Sequence, residues 1–345
     1  MFKSQESFTN SMFGNYALGS IINRHQNHLL IKLNNLIDWS FVEEEVADHY
    51  SSKGQNAIHP LQMFKLLLIQ SLYELSDRDT CEQADTNIIY RYFIGLGMTE
   101  NMYHWTDLGN FRDRIGPESF ERLFYRVLDE AERLGIDISN KRNADSTDIK
   151  ANVDISRCVK DKQDDNDHSW IDRNTTDPEA RCGKKGSKPN SKRWYGYKGH
   201  INQETETELV TSVITTSASA TDESQLVPLV DKERDFRGEE AVRKQGGDKA
   251  YVGHTEELSE RGVLDYVIPR DNMTKELDIK NRNNHYRHLK RRRPKIERKF
   301  AEGKKHHHLR QARYRGRWKV HIQNLLTFIA INLKRIIRLV MPRFT

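Results

Sequence analysis

Between Leu134 and Trp194 the hydrophobic period of this chain changes, and that change limits the folds open to it. From Ile58 to Ile115 the residues Leu61, Phe64, Leu67, Leu68, Ser71, Leu72 and Leu75 recur mostly at spacings of three and four, the repeat of one helix face. Pro60 suits a first helical turn, and Ser76-Asp77-Arg78-Asp79 suits a turn and the cap of the next helix. A further helix is expected over Pro117–Leu134, with Phe120, Leu123, Phe124, Val127 and Leu128 on one side. Residues 1–135 therefore read as an all-α domain, with a helix-turn-helix as one way of building it. Beyond the change, Trp194–Ile201 and Glu208–Thr216 are rich in β-branched and aromatic residues and read as a hairpin across the polar Asn202–Thr207. A helix near Asp222–Lys232, a weak strand ending at Asp248, a helix over 254–262 and a short strand at Tyr266–Pro269 are expected next. Strands first and alternation after them predict a mixed α/β domain over 136–345, with a polar insertion at about 161–193.

The chain ends on a second helical pattern. Ile322, Leu325, Leu326, Ile329, Leu333, Ile336, Ile337 and Val340 form one broad apolar face at a 3.6-residue period. Such a helix docks on a core, so the strongly basic segment around it is expected to be folded. That segment, Asn284–Thr345, holds 19 Lys/Arg and only two acids, Glu297 and Glu302, in a chain whose net charge is +6. Residues 1–135 are net acidic, with 12 Lys/Arg against 19 Asp/Glu. An asymmetry of this size points to a polyanionic partner for one face, nucleic acid above all. No apolar run reaches the ~18–20 residues of a membrane span. The first residues show no signal-peptide pattern, and three cysteines make no disulfide framework. The expected compartment is the cytoplasm, with no membrane partner.

Three acids stand out by their surroundings. Asp145 lies in Asn143-Ala144-Asp145-Ser146-Thr147, Asp248 in Gly246-Gly247-Asp248-Lys249-Ala250-Tyr251, and Glu297 in Arg293-Pro294-Lys295-Ile296-Glu297. With Pro294 as first helical residue, Glu297 falls near a positive helix end. Other segments accompany them in order: Asp177-Pro178-Glu179-Ala180-Arg181, Gly196-Tyr197-Lys198-Gly199-His200, Thr216-Ser217-Ala218 with Asp222 after it, and the spacing Arg293-x3-Glu297-x6-Lys304. Together with Ser76-Asp77-Arg78, Phe93-Ile94-Gly95 and Phe111-Arg112, they resemble the DDE transposases of bacterial insertion sequences, over roughly Pro60 to Leu339. The chain departs from that pattern at Lys290, where the family often has Tyr, and at His104-Trp105-Thr106-Asp107. The stretches before Asp145 and Asp248 are also polar, whereas a buried central strand is expected to be apolar.

The resemblance implies an RNase H-like sheet with flanking helices behind the helical N-terminal domain. It implies that Asp145, Asp248 and Glu297 are catalytic and hold Mg²⁺, with Mn²⁺ as a substitute. Hard cations take carboxylate and phosphate oxygens, and two ions roughly 3.5–4 Å apart stabilise both the attacking and leaving oxygens of a phosphodiester exchange. The implied activity is cleavage at insertion-sequence ends followed by transfer of the 3′-OH into target DNA. The partners are double-stranded DNA, both element ends and target, and a second copy of the chain in the DNA complex. The setting is the nucleoid of a bacterium. Lys249, Arg293, Lys304, Arg313 and Arg315 would contact DNA; Arg291, Arg292, Lys305, Arg310 and Arg317 would follow its backbone. The N-terminal domain would bind the element ends or dimerise. Two rival readings are a repurposed transposase that only binds DNA and a metal-dependent nuclease that cuts without joining. His306-His307-His308 reads as part of a DNA-facing loop. Cys158, His168 and Cys182 have no zinc spacing. Trp194 reads as a packing residue; Trp170 is given no role.

Overall fold

The computed structural model describes residues 19–51, 57–155, 174, 176–185, 191 and 193–341. Cys158, His168, Trp170 and most of the expected insertion lie outside the described residues. The chain divides into two compact units, one of Met1–Gly135 with Ile329–Thr345 and one of Ile136–Phe328.

The described part of the first unit is helical. Helices α1 (Leu29–Leu36), α2 (Ser40–Val46), α3 (Pro60–Tyr73), α4 (Asp77–Thr86), α5 (Ile88–Ile94) and α6 (Thr106–Arg133) follow one another. Pro60 is the first residue of α3, where its missing N–H costs nothing. Ser76 and Asp79 close a capping box on α4, each satisfying an otherwise orphaned N–H. Every residue of α3 from Pro60 to Leu72 is buried, so this helix offers no face for a DNA groove. At Gly116 the backbone of α6 leaves the helical region (φ 67°, ψ 173°), and Pro117 restarts it. Only glycine takes that φ without strain. Trp39 meets Phe64 and Phe93 edge-on. The Lys65 ammonium lies 5.1 Å from the Trp39 ring and 5.0 Å from the Phe93 ring and donates to Asn34 Oδ1 at 2.7 Å. Burial pulls its pKa down to about 7.

The second unit is built on one sheet. Its strands are β1 (Lys141–Lys150), β2 (Arg181–Lys184), β3 (Arg193–Glu204), β4 (Val210–Ser217), β5 (Lys244–Gly247) and β6 (Leu264–Val267). β1 is central: β3 runs antiparallel on one side, with β2 and β4 beyond it, and β5 then β6 run parallel on the other. Helices α7 (Leu226–Arg237), α8 (Thr255–Glu260), α9 (Thr274–Arg282), α10 (Asn284–Arg292) and α11 (Pro294–His306) complete it, and α12 (Arg317–Val340) begins in this unit and passes at Ile329 into the first. An antiparallel half followed by parallel strands around a central first strand is the RNase H-like arrangement. Ala144 packs with Leu226, Leu229, Val230, Val242 and Val263 in its core.

The polarity of β1 and β5 has a physical resolution. Arg142 and Glu233 are both fully buried and joined at 2.7 Å, Glu233 also accepts from Thr211 Oγ1 at 2.7 Å, and Arg142 donates to the Ala241 carbonyl at 3.0 Å. Gln245 donates to Asn202 Oδ1 at 3.0 Å. A central strand is apolar by default because buried polar groups need partners. Here Arg142 is fully engaged by Glu233 and carbonyls and the Gln245 amide nitrogen is paired, while Gln245 Oε1 and Asn202 Nδ2 have no partner among the described residues. Gly196 is required by close approach, since a Cβ there would lie 2.2 Å from the Ile149 carbonyl oxygen.

Candidate active site

Two neighbouring strands and one helix start set the site. The parallel register pairs Lys141 with Lys244, Arg142 with Gln245 and Asn143 with Gly246. Continued two residues further, it sets Asp145 opposite Asp248. The pairing brings the strands so close that a Cβ on Gly246 would stand 2.3 Å from Asn143 Oδ1. Asn143 is buried and donates to the Leu289 carbonyl at 3.1 Å, which fixes α10 to β1. Leu289 in turn accepts from the Arg293 N–H at 2.9 Å. Arg293 ends α10, Pro294 opens α11, and Glu297 lies in the first turn of α11.

Asp145, Asp248 and Glu297, drawn from three distant segments, thus face a single guanidinium. Arg293 stands 3.6 Å from Asp145 Oδ2, 3.6 Å from Asp248 Oδ2 and 3.4 Å from Glu297 Oε1. The site grades from closed to open: side-chain exposure is 15% at Asp145, 36% at Asp248 and 61% at Glu297. Desolvation pushes the Asp145 pKa up to about 6; the Ser146 N–H and Arg293 oppose the rise, while Asp248 and Asp222 add to it. Asp145 accepts from the Ser146 N–H at 2.8 Å and Asp248 from the Ala250 N–H at 2.9 Å, so two of the three carboxylates are oriented by backbone.

The donor set is made of hard oxygens and suits a divalent cation. Among the described residues no three His, Cys, Asp or Glu side chains stand close enough to hold one as arranged. The Arg293 guanidinium lies among the three carboxylates.

The remaining expected DNA contacts are distributed differently. Lys304 is bound to Asp148 Oδ1 at 2.6 Å, and Lys249 pairs with Asp271. Arg315 is exposed and Arg313 half-buried in the loop before α12, where the Arg313 N–H donates to Gln323 Oε1 at 2.7 Å. Part of the basic segment serves the fold. Arg292 and His288 bind Glu206 at 2.9 and 2.6 Å, and Lys295 binds Glu208 at 2.5 Å. These contacts hold α10 and α11 against the turn between β3 and β4. His307 is buried, 4.0 Å from Glu302, and does not face a ligand as a loop residue would. Trp194 is buried and donates to the Tyr197 carbonyl at 3.2 Å.

Other motifs also gain physical roles. Asp177 accepts from Tyr197 Oη at 2.6 Å and from the Gly316 N–H at 3.2 Å, and Glu179 accepts from the Arg317 N–H at 2.9 Å. The pair thereby holds the start of α12. Asp222, in the segment after β4, accepts from Lys198 Nζ at 3.0 Å and lies 3.9 Å from His200 Nδ1. Its charge adds to the rise of the Asp145 pKa. His200 is fully buried, so its pKa falls to about 4 and it stays neutral, accepting or donating at Thr216 Oγ1 across 2.9 Å. Tyr251 is buried under these acids, and burial first, then the charges of Asp222, Asp145 and Asp248, holds its phenol protonated.

Two family models match the chain. A Transposase DDE domain matches residues 145–333, beginning at the first of the three acids, and a Transposase domain (DUF772) matches residues 20–114. No solved structure matches the chain.

Proposed function

The chain belongs to the transposase DDE family, and on that premise we propose that Asp145, Asp248 and Glu297 are its catalytic and metal-holding residues. As a DNA transposase it is an enzyme acting on DNA, in a family that generally uses divalent metal ions. Nothing favours the binding-only or nuclease readings. The observation that carries the residue assignment is the convergence of three sequence-distant carboxylates on Arg293.

Mg²⁺, or Mn²⁺ in its place, would be held by these acids and would supply an activated oxygen nucleophile and charge neutralisation at the phosphorus. The chain's own groups do the rest. Asp145, backed by Ser146, and Asp248, backed by Ala250, present oriented oxygens from the two adjacent strands. Glu297 closes the set from a helix start. Arg293 moves from the carboxylates to a phosphate oxygen when DNA arrives, exchanging one set of anions for another. Lys249, Lys304, Arg313 and Arg315 hold phosphates farther along the strand, which makes binding salt-dependent. The reaction so served is cleavage at the element ends and transfer of the freed 3′-OH into target DNA. The helical N-terminal region, about residues 1–135, contributes end binding or dimerisation to a homodimer that brings two ends together. No described helix is long and apolar enough to cross a membrane; the proposed setting is the bacterial cytoplasm, at the nucleoid.

Incubation of the protein with Mg²⁺, a duplex carrying the element's ends and a target plasmid tests the reading. Joined products are expected. Cut ends without joining would favour a nuclease, and salt-sensitive binding without cutting would favour the inert alternative.

A further inference from the structure

Beyond Asp145, β1 continues to Asp148, and beyond Glu297, α11 continues to Lys304. Two rulers measure the same interval. Three strand residues advance about 10 Å. Being an odd number, they turn Asp148 to the other face of β1 from Asp145, so Lys304 is the group that links this position to the Glu297 side. Seven helix residues advance about 10 Å and return to the same helix face. The two elements meet there, with Lys304 Nζ 2.6 Å from Asp148 Oδ1. Beside this pair opens a cavity of about 400 Å³ lined by Asp148, Lys150, Lys304, Arg310 and Gln311. Its backbone is pinned: the Lys150 N–H donates to the Arg310 carbonyl at 3.1 Å and the Ala312 N–H to the Lys150 carbonyl at 2.7 Å. Arg310 Nε donates to the Lys304 carbonyl at 3.0 Å. Three cations therefore share one small pocket with a single carboxylate.

We propose that this pocket is a second phosphate site, taking a backbone phosphate of the DNA strand that runs through the three acids. Lys150 and Arg310 are its exposed cations, Arg310 held by its bond to the Lys304 carbonyl. Asp148 is a placeholder that keeps Lys304 aimed into the pocket and away from Glu297, and it yields Lys304 to the phosphate. A strand advances about 3.4 Å per nucleotide along the duplex axis, so an offset of about 10 Å corresponds to a phosphate about three nucleotides from the reacting bond. The inference rests on the assignment of Asp145, Asp248 and Glu297 as the place where that bond is held.

Binding without chemistry separates the two claims. Glu297→Gln protein, free of divalent metal, is titrated with a labelled duplex of the element's end over a range of salt. Adding Lys150→Ala and Arg310→Ala is expected to reduce the slope of log affinity against log salt by about 0.9, one phosphate's worth. Both residues are exposed, and if circular dichroism shows that the pair perturbs folding, Lys150→Ala alone carries the slope test. Asp148→Asn is expected to tighten binding several-fold, and that gain is expected to vanish when Lys304→Ala is also present. An unchanged slope overturns the pocket. A gain that is absent, or that persists without Lys304 as a general charge effect, overturns the placeholder role of Asp148. Failure of the parent protein to bind the duplex would overturn the functional reading, and the pocket with it.

Discussion

A guanidinium 3.4 to 3.6 Å from three carboxylates is what electrostatics assembles when acids converge and a cation is within reach. Arg293 neutralises charges that would otherwise repel across a partly desolvated site. On the proposed reading it competes with the metal ion, and DNA phosphate is the anion that would draw it off. Arg293→Gln is expected to raise the affinity of the DNA-free protein for Mn²⁺ by at least about fivefold, since its pairs with the mostly buried Asp145 and with Asp248 are worth no less than the ~1 kcal/mol of a surface ion pair. The same change is expected to weaken duplex binding. Calorimetric titration of Mn²⁺ checks the first effect; an unchanged affinity would mean that Arg293 does not guard the acids. Asp145 and Asp248 could be singled out in the sequence because their neighbours matched a family pattern. Asp222 is named with the Thr216-Ser217-Ala218 segment, but its contacts with Lys198 and His200 and its charge effect on Asp145 depend on the turn after β4, which no local spacing reveals.

Elements with a clean period were legible. Helix α12 spans Arg317–Val340, where the apolar repeat placed it. The β3–β4 hairpin, the cap of α4 and the start of α11 at Pro294 also match. β1 and β5 were harder to read, since a buried strand carrying Arg142, Asn143 and Gln245 looks like a loop until its partners are known. Those partners define a prediction at this scale. Glu233→Ala leaves the Arg142 guanidinium buried and uncompensated, and it is expected to cost about 3–5 kcal/mol of stability. Urea unfolding of the two proteins measures it. A loss well under 1 kcal/mol would mean that Arg142 reaches water or another acid. Helices α9 and α10 were not anticipated because their charged residues obscure the period. In α10 some of those charges are contacts, with Arg292 and His288 on Glu206.

For the whole molecule, uneven charge is the governing property. The acidic N-terminal region and the basic segment after Asn284 divide the chain between a part that does not attract DNA by charge and a part that does. α3, buried along almost its whole length, indicates that the first unit spends helices on its own core, which leaves dimerisation or end recognition to other surfaces. Its core also gives stability a pH dependence. Lys65 titrates near 7 when folded against 10.5 as a free side chain, so between those values the unfolded chain binds the extra proton and stability rises with pH. Below about 7 both states are charged and the cost of burying the ammonium is fully present. Lys65→Met is therefore expected to melt at a higher temperature than the parent at pH 6, with the difference shrinking toward pH 10. A difference independent of pH would refute a shifted Lys65. The account's central claim, that three acids act as one site, is tested most directly by Glu297→Gln on end-containing DNA with Mg²⁺. The expected result is loss of cleavage with duplex affinity unchanged; cleavage at the parent's rate would contradict it.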